Sequence, residues 1–295
     1  MKQISILLAV LLLTLLCGCA MQEEPAQITA TTLPVYEFTA RLCDGTGLTV
    51  SQLVTERVSC LHDYSLNVRQ VRAAESAELI VINGAGLEEF MHEVLHGKNV
   101  IDSSAGIALI ESGNEHSHGH EETTHEGHHH EQDPHIWLSP DNAKQMVRNI
   151  YMGLSARYPE HADVFSQNLT SLIEDLDVLQ SHGDEQLADL SCRELVTFHD
   201  GFAYLAHSFD LTVLESVEEE SGSEASAAEL IHLINEVNHH NLPAVFTEVL
   251  GSISAAQIIA AETGADVYPL DMAMHGESYF TAMYQNINTL KEALE

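Results

Sequence analysis

The chain has 295 residues, with 45 Asp or Glu against 11 Lys or Arg, a formal net charge of −34. Hydrophobic residues make up 45%, enough to bury a sizeable core, which excludes a disordered chain. So few cations leave no basic surface for a phosphate backbone, which excludes nucleic acid as a partner and makes cations the natural one. The acidity is uneven, since Tyr158 to Glu295 holds 25 acids and two bases, a balance of −23. Histidine is the second anomaly: of 19 in the chain, eight lie between His116 and His135.

At the N-terminus, Lys2 precedes an apolar run from Ile4 to Cys17. The run is shorter than the roughly 20 residues of a membrane span and has the length of a signal-peptide core. It ends Leu16-Cys17-Gly18-Cys19, which resembles a bacterial lipobox with Cys19 as the lipidated residue. An ordinary secretory signal with two incidental cysteines is the plainer alternative. Residues 1–18 are read as a signal peptide and 19–27 as a polar tether. The protein is therefore expected outside the cytoplasm, lipid-anchored on the outer face of a bacterial membrane or periplasmic. Cys43, Cys60 and Cys192 remain, an odd number, so at most one bridge forms; Cys43 and Cys60, close in sequence, are the expected pair.

From residue 28 the chain alternates β-branched runs with amphipathic stretches. ITATTL (28–33) reads as a strand, VYEFTARL (35–42) as a helix closed by Gly45, and LTVSQLV (48–54) as a strand. Ser65 can cap a helix through Ala77, and AELIVIN (77–83) is a strand ending in Gly84-Ala85-Gly86. Residues 111–132 carry no aliphatic side chain and read as a mobile histidine-rich loop. Ser139-Pro140 is an N-cap followed by a first-turn proline, opening a helix to about Arg157. From Glu160 to Leu190 only Gly183 interrupts a helical stripe of Val164, Leu169, Leu172, Leu176 and Leu179. A helix of about 25 residues is nearly 40 Å long and can join two lobes. The alternation then repeats: strands 193–198, 211–216, 243–248 and 265–270, with helices 201–209, 226–240, 254–263 and 277–294. The expected fold is α/β, two (β/α) lobes with parallel sheets, residues 28–158 and 191–295, joined by a rigid linker helix over 159–190.

In open α/β sheets, ligands bind beyond the carboxyl ends of the strands. His199 follows one strand, Asp271 another, and Glu248 closes a third; His62 follows the second strand, and His135 stands where ordered chain resumes. Three imidazoles and a carboxylate suit tetrahedral zinc, although Cu²⁺ and Ni²⁺ share that preference. Each residue has a plainer role, the histidines as surface or capping groups, Asp271 as a turn cap, and Glu248 as a solvated acid or a partner orienting a ligand.

Seven segments occur in order: TTLPVYEFTARL, LHDYSL, NGAGLEEF, DPHIWLSPDNAKQMVRNI, TFHDGFAYLAHSFDL, ELIHLINEV…AVFTE and ETGADVYPLD. Together they resemble the zinc and manganese receptors of bacterial ABC importers over residues 28–294. The resemblance implies a metal in the cleft between the lobes, held by His62, His135, His199 and Asp271, with Glu248 as an alternate ligand or a supporting residue. It implies Zn²⁺ as the transported ligand, since the third position is often Glu where manganese is carried, and an ABC-importer membrane permease as partner. A histidine-rich loop before DPH is likewise typical of the zinc members. One departure is Ser59–Leu66, which lacks the prolines usual around the first ligand; Cys60, two residues from His62, is an alternative ligand.

His116, His118, His120, His125, His128, His129 and His130 form the auxiliary, weak metal-binding set of the loop. Deleting residues 114–131 is expected to leave one tight site and remove the weak ones. The functional expectation is a monomeric zinc receptor delivering Zn²⁺ to a permease, with no catalysis. Zinc affinity should fall steeply below about pH 6, because the imidazoles must be neutral to bind. The alternatives are a surface adhesin or zinc reservoir, a manganese receptor, and a zinc hydrolase. Against the last stand the lack of an HExxH motif and four protein ligands, which leave no open position for water.

Overall fold

The structure, a computed structural model, describes residues 26–58, 61, 64–111, 132–217 and 225–295. The signal segment, Cys19, Cys60, His62 and the seven loop histidines lie outside the described residues.

The first lobe runs β1 (Ile28–Ala30), α1 (Leu33–Cys43), β2 (Val50–Gln52), α2 (Val68–Ser76), β3 (Leu79–Ile82), α3 (His92–Leu95) and β4 (Val100–Asp102). Its strands are parallel in the order β2-β1-β3-β4. Next come α4 (Pro140–Arg157) and the spine, α5 (Ala162–Gln186). The second lobe runs β5 (Glu194–Thr197), α6 (Ala203–Ser208), β6 (Thr212–Ser216), α7 (Ala227–His240), β7 (Ala244–Glu248), α8 (Ser254–Thr263), β8 (Asp266–Leu270) and α9 (Tyr279–Leu294). Its parallel order, β6-β5-β7-β8, repeats that of the first lobe. In both, the first strand connects to its neighbour on one side and the third strand to its neighbour on the other, which opens a crevice at the carboxyl ends of β1/β3 and of β5/β7.

Local chemistry explains the boundaries. Pro140 starts α4 where a missing N–H costs nothing, and Ser139 Oγ accepts from Asn142 N at 3.3 Å. The cap of α2 is Asn67 rather than Ser65. Its side chain accepts from Arg69 N and Gln70 N while Gln70 Oε1 accepts from Asn67 N, a reciprocal capping box. Gly183 does not interrupt the spine but lies within α5. A Cβ there would stand 2.2 Å from Cε1 of Phe209, so the missing side chain lets the second lobe pack onto the spine. Leu172, Leu176 and Leu179 point into one core that continues through both lobes, each burial worth roughly 1.5–3 kcal/mol. Across α5, Asn168 Nδ2 donates to the carbonyls of Leu42 and Asp44, both at 2.9 Å, satisfying orphan acceptors at the end of α1. Asp175 pairs with Arg41, and Asp177 with Lys144 at 2.8 Å.

Buried hydrogen bonds also tie the lobes to each other. Trp137 Nε1 donates to Met272 O at 2.7 Å, and Tyr279 Oη to Trp137 O at 2.8 Å. Tyr204 Oη, on α6, donates to Asp133 O and accepts from Ile110 N, both at 2.9 Å. Ile110 and Asp133 flank the histidine-rich segment. Glu111 and Gln132 form an antiparallel bridge, so a second-lobe tyrosine holds the two residues that flank this bridge.

Candidate metal centre

His135 ends the return from the histidine-rich segment, just before a short 3-10 turn, Ile136–Leu138. It is 1% exposed. Asp133 Oδ1 accepts from its backbone N at 2.8 Å and lies 2.7 Å from its Nδ1. A carboxylate there makes Nδ1 the protonated nitrogen and leaves Nε2 as the lone-pair donor. His199 stands two residues beyond the end of β5, just before a short 3-10 turn, and reaches the same place from the second lobe. The two Nε2 atoms are 3.4 Å apart. Two nitrogens bound to one tetrahedral ion at about 2.0–2.1 Å stand roughly 3.4 Å apart, so the imidazoles are spaced as ligands of a single zinc-sized cation.

The close approach depends on Gly201. A Cβ at that position would lie 2.8 Å from His135 Cγ and Nδ1 and 2.6 Å from Met272 Cε. The glycine is thus where the second-lobe backbone admits the first-lobe ring.

One carboxylate lies within reach of the pair, and two more stand at neighbouring strand ends. A ligand atom of Asp200 lies within 4.8 Å of ligand nitrogens on both histidines, and these three residues form one potential metal-holding group. Asp200 Oδ1 is buried without a hydrogen-bond partner and lies 4.0 Å from His199 Nδ1. Asp271 is outside that group. Its Oδ1 accepts from Ala273 N at 2.8 Å and lies 3.9 Å from His275 Nε2, while its backbone is clasped by Asn286. Glu248, at the end of β7, is 5% exposed. Burial pushes its pKa up to about 7; the nearby His135 opposes the shift and the nearby Asp271 adds to it. Glu248 is thus coupled electrostatically to both His135 and Asp271.

Of the residues read from the sequence, His135 and His199 come together, Glu248 is coupled electrostatically to His135, and Asp271 is outside the group they form with Asp200. His62 lies outside the described residues. Sequence reasoning missed Asp200 and Gly201. Their signal was the run His199-Asp200-Gly201, in which a histidine near a strand end is followed by a carboxylate and a residue without a side chain. Cys43 is a free thiol buried at the end of α1, where its apolar surroundings push the pKa up to about 12. Cys60, the partner expected from the sequence, lies outside the described residues. Cys192 is also free.

The family model described as zinc-uptake complex component A, periplasmic, matches residues 28–293. The zinc-binding lipoprotein AdcA of Streptococcus pneumoniae is 30% identical over 310 residues, covering 100% of this chain and 62% of AdcA. The chain thus spans about three fifths of that relative's length. A crystal structure of ZnuA is 28% identical with a TM-score of 0.77, covering 92% of this chain and 100% of that one. The Zn(II)-bound ZnuA-like domain of Streptococcus pneumoniae AdcA is 26% identical with a TM-score of 0.75, covering 91% and 98%. With the family model spanning both lobes and the spine, the chain belongs to the family of periplasmic zinc-uptake component A.

Proposed function

We propose that the chain is an extracytoplasmic, lipid-anchored zinc receptor that captures Zn²⁺ between its lobes and hands it to an ABC-type permease. The observation that carries this reading is the 3.4 Å separation of the two Nε2 atoms, one from each lobe. His135 and His199 supply two imidazoles and His62 the third, with an acid from Asp271 completing a four-ligand shell. Asp200 offers a second carboxylate within reach of both imidazoles.

Neutral imidazoles and one carboxylate favour zinc over manganese, whose sites are built mainly from oxygen. Membership of a zinc-uptake family and the zinc-bound domain of a relative support the same cargo. The ion is cargo, and a shell with no open position is made for holding rather than for activating water.

Metal analysis of the purified protein beside a His199→Ala variant tests the site. The wild type should retain about one tightly held zinc through dialysis against a weak chelator, and the variant should lose it. Unchanged tight zinc in the variant would overturn the reading.

A further inference from the structure

The motif Asn83-Gly84-Ala85-Gly86-Leu87-Glu88 contributes no proposed ligand, yet it contains a carboxylate that is only 4% exposed. Glu88 Oε1 accepts from Thr31 Oγ1 at 2.6 Å and from Asn83 N at 2.7 Å; Oε2 accepts from Gly84 N at 3.0 Å. Thr31 follows β1 and Asn83 follows β3. The carboxylate therefore fills the crevice of the first lobe, at the place where the second lobe keeps its own crevice open for His199 and Glu248.

The Asn83 side chain continues the connection. Its Nδ2 donates to Gly84 O at 3.0 Å and to Pro134 O at 3.1 Å. The opposite orientation of the amide would set its oxygen against two carbonyls, so the hydrogen bonds define the orientation. Pro134 O belongs to the peptide that leads into His135. Asn83 O accepts from Ser103 Oγ at 2.8 Å, and Ser103 O accepts from Asn149 Nδ2 at 2.8 Å, which anchors the turn to β4 and α4. His135 is thus steered from two directions. Asp133 sets its ring, and Asn83, itself held by Glu88, sets the backbone that carries the ring.

We propose that Asn83 and Glu88 are positioning residues for His135, so that the glycine-rich turn of the first lobe presets the place of a metal ligand it does not touch. The proposal rests on the reading of His135 as a zinc ligand. Glu88 holds the backbone N–H groups of Asn83 and Gly84, and Asn83 passes that restraint to the Pro134 carbonyl. The burial that makes Glu88 a firm acceptor also pushes its pKa up to about 7.

Asn83→Ala removes the bond to Pro134 and leaves the three acceptor bonds of Glu88 in place. Its zinc affinity, measured by competition with a chromophoric chelator, should fall about tenfold, the lower end for loss of a group supporting a metal ligand. The visible absorption of the Co²⁺-substituted protein should shift, because the His135 ring no longer meets the ion at the same angle. Glu88→Gln sets an amide donor against a backbone donor and should move the same band in the same direction. A merely structural role would lower the melting temperature and leave the Co²⁺ band in place. Wild-type zinc affinity or a wild-type Co²⁺ band in Asn83→Ala would overturn the proposal, and that variant alone decides if Glu88→Gln does not fold. His135→Ala separates the two readings. If it retains wild-type zinc affinity, the ligand assignment fails; if it loses zinc while Asn83→Ala is unchanged, only the positioning role fails.

Discussion

The two lobes share one strand order and treat the same crevice in opposite ways. In the first lobe, Glu88 fills the gap between β1 and β3, and its oxygens are taken up by Thr31, Asn83 and Gly84. In the second lobe, Glu248 ends β7 and His199 stands just beyond β5, and the pairing is less regular. β5 meets β7 through a single register pair, Thr197 with Phe246, and its register against β6 shifts between Leu195 and Val196. One lobe satisfies the carboxylate that fills its crevice and offers a preset histidine. The other leaves carboxylates in an apolar setting, where a cation is the natural counter-charge. A repeated topology thus provides one rigid jaw and one whose electrostatics await the ion.

Three measurements sharpen or break that contrast. The largest effect is expected from Glu248→Gln in metal-free protein. The native carboxyl has its pKa raised from the ordinary 4.5 to about 7, so the folded state holds the proton more tightly than the unfolded state does. Stability is therefore lost as pH rises from about 4.5 through 7, and the cost approaches about 3 kcal/mol above that. The Gln variant should melt several degrees above wild type at pH 8 and level with it near pH 4.5. A gap that does not change with pH would mean that Glu248 is not the strained group of the second lobe.

Gly201→Ala comes next. Its Cβ would enter the space of the His135 ring and Met272. Overpacking of this kind typically costs 1–3 kcal/mol. Because the strain falls where the lobes meet, it should appear as weaker zinc binding, by about tenfold or more, alongside a lowered melting temperature. Unaltered zinc affinity would show that the second jaw yields more readily than the close contact implies.

The smallest effect is expected from Asp133→Asn, which keeps the shape and removes the charge beside His135 Nδ1. Loss of such a partner costs roughly 10–100-fold in metal affinity, and the lower end applies where Asn83 still steers the backbone. Imidazole NMR should show His135 losing its single tautomer. An unchanged tautomer and affinity would remove Asp133 from the rigid jaw.

Much of this was legible in the chain itself. Ser139-Pro140 announced α4 because capping and the proline N1 preference act within four residues, and the stripe of leucines announced α5 because helical period is local. His135 and His199 stood out because each follows or precedes a clear element boundary. Ser65 was the wrong cap because two side chains three residues apart, Asn67 and Gln70, satisfy each other better than a lone serine can. Gly183 read as a break, since from sequence a glycine in a helix signals lost propensity; only Phe209, 26 residues on, explains it. Asp200 and Gly201 were passed over for the same reason, as their value depends on a histidine arriving from the other lobe.

Sequence alone determined what depends on near neighbours: the alternation of strand and helix, the long spine, the acidic excess, and the imidazoles available for a soft cation. Tertiary structure decided what depends on distant pairs: the matching strand orders, the 3.4 Å approach of two histidines 64 residues apart, and which acid stands beside them. Those distances follow from packing two lobes against one helix. No local preference encodes them, because the energy that sets them comes from burial and hydrogen bonds between segments that meet only in the folded molecule.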